Sequence, residues 1–245
     1  MIRDQESGFP QIVSLGLDGL LVRFADRFDD AANRAALAFR DVAGALDSVQ
    51  EASTSLCAVY LRFDPHAHRH SALEDRLRAL LAERNWYSAP LPADHRIWRI
   101  PTVYGGAYGP QLDATADMAG TDTASAIEEL STARLRVMTI GFAPGFPYLG
   151  QLSERWNLPR HDDLKTTVPP GALGLAIRQF VLFPAESPTG WRHIATTAFR
   201  GFRPGHDNPF PLQPGDEITF TAAEARDFSR LVDAPDGGAI CEPAR

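Results

Sequence analysis

Apolar positions recur with two different periods along this chain, and the place where the period changes divides it. IVSLGLDGLLVRF, from Ile12 to Phe24, predicts two short strands about a turn at Gly16 to Gly19. Ala32, Ala36, Phe39, Ala43 and Leu46 follow at spacings of three and four, which predicts a helix with one apolar face. Asp29 or Asp30 is placed to cap it. Ser55 to Phe63 alternates and predicts a strand with Leu56, Ala58, Tyr60 and Arg62 on one face, ended by Asp64-Pro65. Ser71-Ala72-Leu73-Glu74 fits a capping box, and Leu73, Leu77, Leu80 and Leu81 give the helix after it a buried stripe. The order strand, strand, helix, strand, helix predicts a small α+β layer.

Ser88 to Asp94 carries two prolines and is the boundary this pattern offers. Two short helices are expected beyond it, near Leu112 to Met118 and Thr123 to Leu130, the second capped by Thr123. Otherwise the period shortens to that of strands: Arg96 to Pro101, Leu135 to Ile140, Leu173 to Ile177, Phe180 to Phe183, His193 to Thr197 and Glu217 to Phe220. Turn signals fall at Pro169-Pro170-Gly171, Pro188-Thr189-Gly190 and Pro214-Gly215-Asp216. That rhythm predicts a closed or nearly closed β barrel. The expected division is residues 1–93, an N-terminal α+β domain; 94–225, a β-barrel domain; and 226–245, a C-terminal tail with a helical turn and a loose end.

GFAPGFPYLGQL, from Gly141 to Leu152, departs from the polar habit of loops. It has no charged side chain, and only Tyr148 and Gln151 bring polar side-chain groups. Following a strand, it predicts a stiff turn that lies against the core or lines a cavity. Pro144 and Pro147 fix φ and remove two donors. Gly141, Gly145 and Gly150 let the backbone bend or approach another group. The N–H groups of Phe142, Ala143, Gly145, Phe146 and Tyr148 then make an apolar-walled pocket with main-chain donors, suited to a carboxylate or an amide carbonyl. A buried turn with no ligand explains the same residues, and the residues alone leave both readings open.

Composition narrows the function classes. Of 245 residues, 44% are hydrophobic and 22% charged, the balance of a globular protein. A net charge of -7 without a basic run argues against nucleic-acid binding through a positive face. No apolar run approaches the ~20 residues of a membrane helix, and MIRDQESGFP lacks the apolar segment of a secretory signal. Cys57 and Cys241 lie far apart with no metal spacing, which predicts a reducing, cytoplasmic setting without disulfides.

Few residues carry a chemical signature. His66, His68 and His70 alternate, as three metal ligands on a strand would, but they fall between a strand end and a helix cap and are expected in a solvated loop. Phosphate-loop, dinucleotide, zinc-protease and nucleophile-elbow motifs are all missing. Ser187 in SPTGW would need His193 within reach to act as a nucleophile. Arg160, beside Pro159, and Lys165 are candidate anion anchors, Arg160 through two parallel bonds to a carboxylate; pairing of Arg160 with Asp162 or Asp163 is the competing reading. Gln179 either satisfies backbone groups or binds an amide. Trp191 is either core or ligand wall.

Together these motifs resemble a known family: that of the B-type chain of 5-oxoprolinase, the sporulation histidine-kinase inhibitor (KipI-like) and allophanate hydrolase subunit 1. They are similar also to the carboxyltransferase half-domain of urea carboxylase. The resemblance spans about Leu15 to Phe220 and is sharpest in GFAPGFPYLG at Gly141 to Gly150. LGLDGLLVRF, SLCAVYLRFDP, YGGAYGP at Tyr104 to Pro110, LPR at Leu158 to Arg160, VPPGALGLA, Gln179 with Phe183-Pro184, SPTGW and PGDEITF support it. The chain departs from the family pattern at several polar positions. Ala107 and Gln111 stand where acids are usual, Leu130 stands for a histidine, Lys165 to Thr167 for a run richer in arginine, Ile177 to Val181 for GGQTG, and Ala195 to Thr197 for GRT.

The resemblance implies an N-terminal ferredoxin-like domain followed by a cyclophilin-like β barrel. It implies a subunit of a multi-subunit, ATP-dependent amidohydrolase (a 5-oxoprolinase) that opens 5-oxoproline to glutamate and works only with partner subunits. Those partners are a second carboxyltransferase-like chain, in a hetero-oligomer, and a further hydrolase subunit. The alternatives are an inhibitor of a sensor histidine kinase and an allophanate hydrolase or urea-carboxylase-related subunit. ATP is implied by the resemblance alone. The substrate-binding set is Phe142, Ala143, Gly145, Phe146, Tyr148, Arg160, Gln179 and Trp191; no metal is expected, and no catalytic residue is assigned.

Overall fold

The computed structural model describes residues 8–162, 164 and 166–244, so Asp163 and Lys165 lie outside the described residues. The chain divides into two compact units, Met1–Ala93 and Asp94–Arg245. Among the described residues no helix is long and apolar enough to cross a membrane.

The first unit is one antiparallel sheet covered by helices on one face. Its elements are β1 (Gln11–Leu15), β2 (Gly19–Arg23), α1 (Asp30–Gly44), β3 (Val49–Ser55), β4 (Ala58–Phe63) and α2 (His70–Ala82), with sheet order β1-β2-β4-β3. Leu20, Val22, Val59, Leu61 and Phe63 are buried and form one core with Ala32, Ala36 and Phe39 of α1 and Leu73, Leu77 and Leu80 of α2. The alternate positions Ala58, Tyr60 and Arg62 are only partly buried, on the opposite face. Phe39 meets Phe24 and Trp86 edge-on at 5.6 and 4.9 Å. Asp29 caps α1 by accepting from the Ala32 amide at 2.8 Å.

Two details differ from expectation. Ser55 to Phe63 is not one strand. The chain turns at Leu56, with φ +50, and pairs β4 with β3, whose polar sequence VQEASTS hides a strand at the sheet edge. The capping box at Ser71 does not form. Arg69 is the cap position and makes no side-chain cap bond, and Glu74 is bonded to Arg78 one turn on.

The second unit is built on a curled sheet. Its elements are β5 (Arg96–Arg99), β6 (Thr102–Tyr104), α3 (Leu112–Met118), α4 (Thr123–Thr132), β7 (Leu135–Ile140), β8 (Pro147–Gly150), β9 (Thr166–Val168), β10 (Ala172–Ala176), β11 (Gln179–Leu182), β12 (Ser187–Thr189), β13 (Arg192–Thr197), β14 (Glu217–Thr219), α5 (Phe228–Asp233) and β15 (Ile240–Pro243). Nine strands run in the order β15-β5-β14-β7-β8-β11-β10-β13-β6, and β9 pairs with β12 separately. Strands β5 and β6 stand near opposite ends of that order, yet only Ile100 and Pro101 separate them, so the sheet must curl to bring its ends together. Inside the curl lie Val137, Leu149, Leu173, Leu175, Phe180, Leu182, Ile194 and Phe220, with Trp156 and Phe199.

The carboxylate of Asp122, not Thr123, caps α4 by accepting from Ser125 N at 2.9 Å; the Thr123 hydroxyl is turned to Asp113. The described part of the tail, residues 226–244, does not end loosely: α5 forms, and β15 pairs with β5. The structure therefore contains mixed α and β layers, with the strands concentrated after the boundary.

Candidate functional site

The site follows from an excess of burial. β10 is buried at every position, and so are β11 and β13. A strand that faces water on one side alternates; these strands are covered on both. Leu173 and Leu175 point into the curl, while Ala172, Ala176, Val181, Phe183 and Trp191 belong to a second cluster on the outer face with Phe146 and Val168.

The segment from Gly141 to Phe146 supplies that outer cover. Gly141 N donates to Phe146 O at 3.0 Å and Phe146 N to Ala143 O at 3.1 Å, closing a tight turn. Gly145 has φ +69 and lies so close to Gly201 that a Cβ would strike the Gly201 carbonyl. Phe146 is the hub: Phe142, Tyr148 and Phe183 surround it at 5.5, 5.3 and 5.1 Å. Tyr148 meets Trp191 at 6.1 Å. Phe142 is 85% exposed and holds a φ of +72, a conformation that is uncommon for a bulky residue.

Beside this cluster opens a hollow of about 200 Å³, lined by Phe142, Phe146, Tyr148, Arg160, Phe183 and Trp191, with Leu164 and Gly190, and with Pro188 and Thr189, which lie in β12 rather than in the expected turn. Tyr148 and Arg160 are near enough to interact. Burial pushes the Tyr148 phenol up, and the Arg160 charge pulls it partly back. Of the two carboxylates expected to compete for Arg160, Asp162 makes no ion pair with it, and Asp163 lies outside the described residues. The described lining contains no aspartate, glutamate or histidine. One cation among aromatic walls suits a small, flat, anionic guest, and the described lining holds no carboxylate or imidazole to act as a general base.

Five of the eight expected binding residues therefore meet at one hollow: Phe142, Phe146, Tyr148, Arg160 and Trp191. Three do not line it. Ala143 packs behind the aromatic cluster, Gly145 is buried against Gly201, and Gln179 is buried at the start of β11 opposite Gly150. The expected row of main-chain donors needs correction too. The Phe146 amide is used within the turn, and Tyr148 is a rung between β7 and β11. Sequence reasoning misses Phe183 and Thr189; Phe183 follows Val181 at strand period, which is the signal that reveals it.

The remaining candidates are not assembled into a site. Ser187 Oγ donates to Ala185 O, and His193 Nε2 contacts Thr196 Oγ1 at 2.9 Å, so the two are not paired. His66 and His68 are exposed in a turn, and no group of metal-ligating side chains occurs among the described residues.

His193 is buried, and burial lowers its pKa below the ordinary 6.5, against smaller opposing effects of the Ala195 and Tyr108 backbone. The unfolded chain takes up this proton near 6.5 and the folded chain resists it. Stability is thus complete above that pH and falls as pH drops below it. Urea unfolding between about pH 7 and pH 5 is expected to show this slope, and His193→Gln is expected to flatten it.

A family model described as carboxyltransferase domain, subdomain C and D, matches residues 10–212. The B-type chain of 5-oxoprolinase from Bacillus subtilis (strain 168) is 28% identical over 228 residues, which cover 89% of this chain and 95% of that one. A protein of the same name from Escherichia coli O157:H7 is 37% identical over 146 residues, 59% of this chain and 67% of that one. The crystal structure of TTHA0988 shares 28% identity and superposes with a TM-score of 0.71 over 84% of this chain; the chain spans only 40% of that longer protein.

Proposed function

This chain belongs to the carboxyltransferase-domain family of subdomains C and D, and from that premise we propose that it is a subunit of a multi-subunit, ATP-dependent amidohydrolase that converts 5-oxoproline to glutamate. In this reading the hollow seats the substrate. The observation that carries it is a guanidinium, Arg160, set beside a phenol and further aromatic walls in a hollow small enough for a single ring. 5-Oxoproline is a flat five-membered lactam bearing one carboxylate. Arg160 suits the carboxylate, Phe146 and Trp191 suit the ring, and the Tyr148 hydroxyl can donate to the lactam carbonyl.

ATP does not fit this hollow: about 200 Å³ and one cation are too little for a nucleoside and three phosphates. We therefore place ATP outside it and derive no step through the nucleotide. The hydrolytic base comes from a partner for the same reason, since the described lining holds none. That partner is a second carboxyltransferase-like chain, joined by a further hydrolase subunit. Within this reading the first unit is a ferredoxin-like layer whose edge strand β1 comes from the N-terminal side, and the second a cyclophilin-like barrel. The setting is cytoplasmic, in keeping with two free cysteines.

The test is 5-oxoproline-dependent ATP hydrolysis by the reconstituted subunits, together with calorimetric titration of 5-oxoproline into this chain. Arg160→Gln is expected to weaken binding by about 10- to 100-fold, the worth of a hydrogen-bonded charge, with little change in melting temperature. An inactive full assembly, no heat of binding, and capture of a kinase dimerisation domain instead would defeat the proposal.

A further inference from the structure

Arg160 sits on an exposed strap, and a cation at the mouth of a hollow discriminates between guests only if it is held still. The strap is tied at three points. His161 N donates to Gly190 O at 2.7 Å, Arg192 Nη1 donates to Pro159 O, and the His161 ring meets the Gln111 side-chain amide, Nε2 to Nε2, at 3.3 Å. The first two ties come from the backbone beside Trp191 and from Arg192. The third comes from a different part of the unit.

Gln111 is itself clamped. Its N–H donates to His193 O at 3.1 Å, its Oε1 accepts from His193 N at 2.6 Å, and its own carbonyl accepts from the Thr115 amide at 3.0 Å. The loop before it, Tyr104 to Pro110, lies flat on β13; at Gly109 a Cβ would strike the Ile194 carbonyl. With Oε1 committed to the His193 amide, Nε2 of Gln111 can only donate. His161 Nε2 must then accept, which fixes the ring as the tautomer with its proton on Nδ1.

We propose that Gln111 is a positioning residue: through His161 it holds the strap that presents Arg160 to the hollow. The glycine-aromatic loop at Tyr104 to Pro110 thereby gains a role, which is to deliver Gln111 to the end of β13. The inference rests on the reading of the hollow as a guest site for its purpose, but its geometry can be tested without any guest.

Tyr148 supplies the probe, because the Arg160 charge lowers its phenol against the effect of burial. Tyrosine-labelled protein is titrated by NMR, with Tyr148→Phe identifying the signal. Arg160→Gln is expected to move the Tyr148 midpoint upward. Gln111→Leu and His161→Phe are expected to move it the same way, and the double variant Gln111→Leu/His161→Phe no further than either alone. Hydrogen exchange of the His161 amide at neutral pH is expected to quicken in Gln111→Leu, a readout that survives if alkaline conditions unfold a variant. For 5-oxoproline, affinity is expected to fall about tenfold in Gln111→Leu, the worth of one positioning hydrogen bond. An unmoved Tyr148 midpoint and unchanged exchange in Gln111→Leu overturn the proposal, as does an Arg160→Gln variant whose Tyr148 does not shift. If the signatures follow while 5-oxoproline binds neither wild type nor variant, the latch stands and the functional reading falls.

Discussion

Asp216→Ala is expected to destabilise the second unit by about 3–5 kcal/mol, the scale for removing one partner of a buried ion pair. Asp216 is 1% exposed and answers five donors at once. It accepts from Arg96 N and Nε, both at 3.1 Å, from Arg96 Nη2 at 2.5 Å, from Trp98 Nε1 at 3.2 Å and from Gln213 N at 2.9 Å. One carboxylate thus ties β5 to the turn before β14. Alanine leaves the Trp98 indole without its acceptor and the Arg96 guanidinium with only the Pro211 carbonyl. Urea denaturation followed by tryptophan fluorescence measures the loss. Asp216→Asn, which keeps one acceptor oxygen, is expected to fall between the two. A loss below about 1 kcal/mol, the worth of an exposed pair, would show that the cluster contributes little.

Phe146→Ala is expected to cost about 3–5 kcal/mol, as buried phenylalanine truncations do, and to abolish guest binding as well. Phe146 is 3% exposed and touches three other rings, so its loss opens the outer cluster to water. It cannot serve as a probe of binding alone, and Arg160→Gln, on the surface, is the cleaner variant. Thermal unfolding of both proteins, with titration of 5-oxoproline, separates the cases. A Phe146→Ala protein that keeps its melting temperature and loses only affinity would show the ring to be a ligand wall rather than part of the core.

The parts of the fold that are legible are those whose local pattern and tertiary surroundings agree. Leu135 to Ile140 is an apolar run between a helix end and a glycine, and it forms a strand over those same residues. β3 is hidden because its sequence is polar, and its pairing with β4 depends on a turn at Leu56 that a leucine does not advertise. β8 is hidden for the opposite reason. Pro147 and Gly150 mark a loop by their chemistry, yet β7 and β11 flank the segment and draw it into the sheet. At the site, side-chain type carries the information: aromatic rings and one arginine near rigid prolines converge on the hollow. Amide directions are not legible, since a turn satisfies its own donors according to φ and ψ, which residue type constrains only loosely. Gln179 illustrates the limit. Strand period places it on the outer face with Val181, and the length of β11 carries it past the hollow.

β5 closes the sheet between β14 and β15, strands that lie more than a hundred residues downstream. At synthesis rates of about 5–20 residues per second, the ribosome needs on the order of ten seconds to deliver those neighbours after β5 has emerged. Trp98, buried in the finished protein, waits through that interval with neither flanking strand. Nascent chains halted before Ile240 should accordingly be the ones that chaperones hold, and their release should coincide with the emergence of β15.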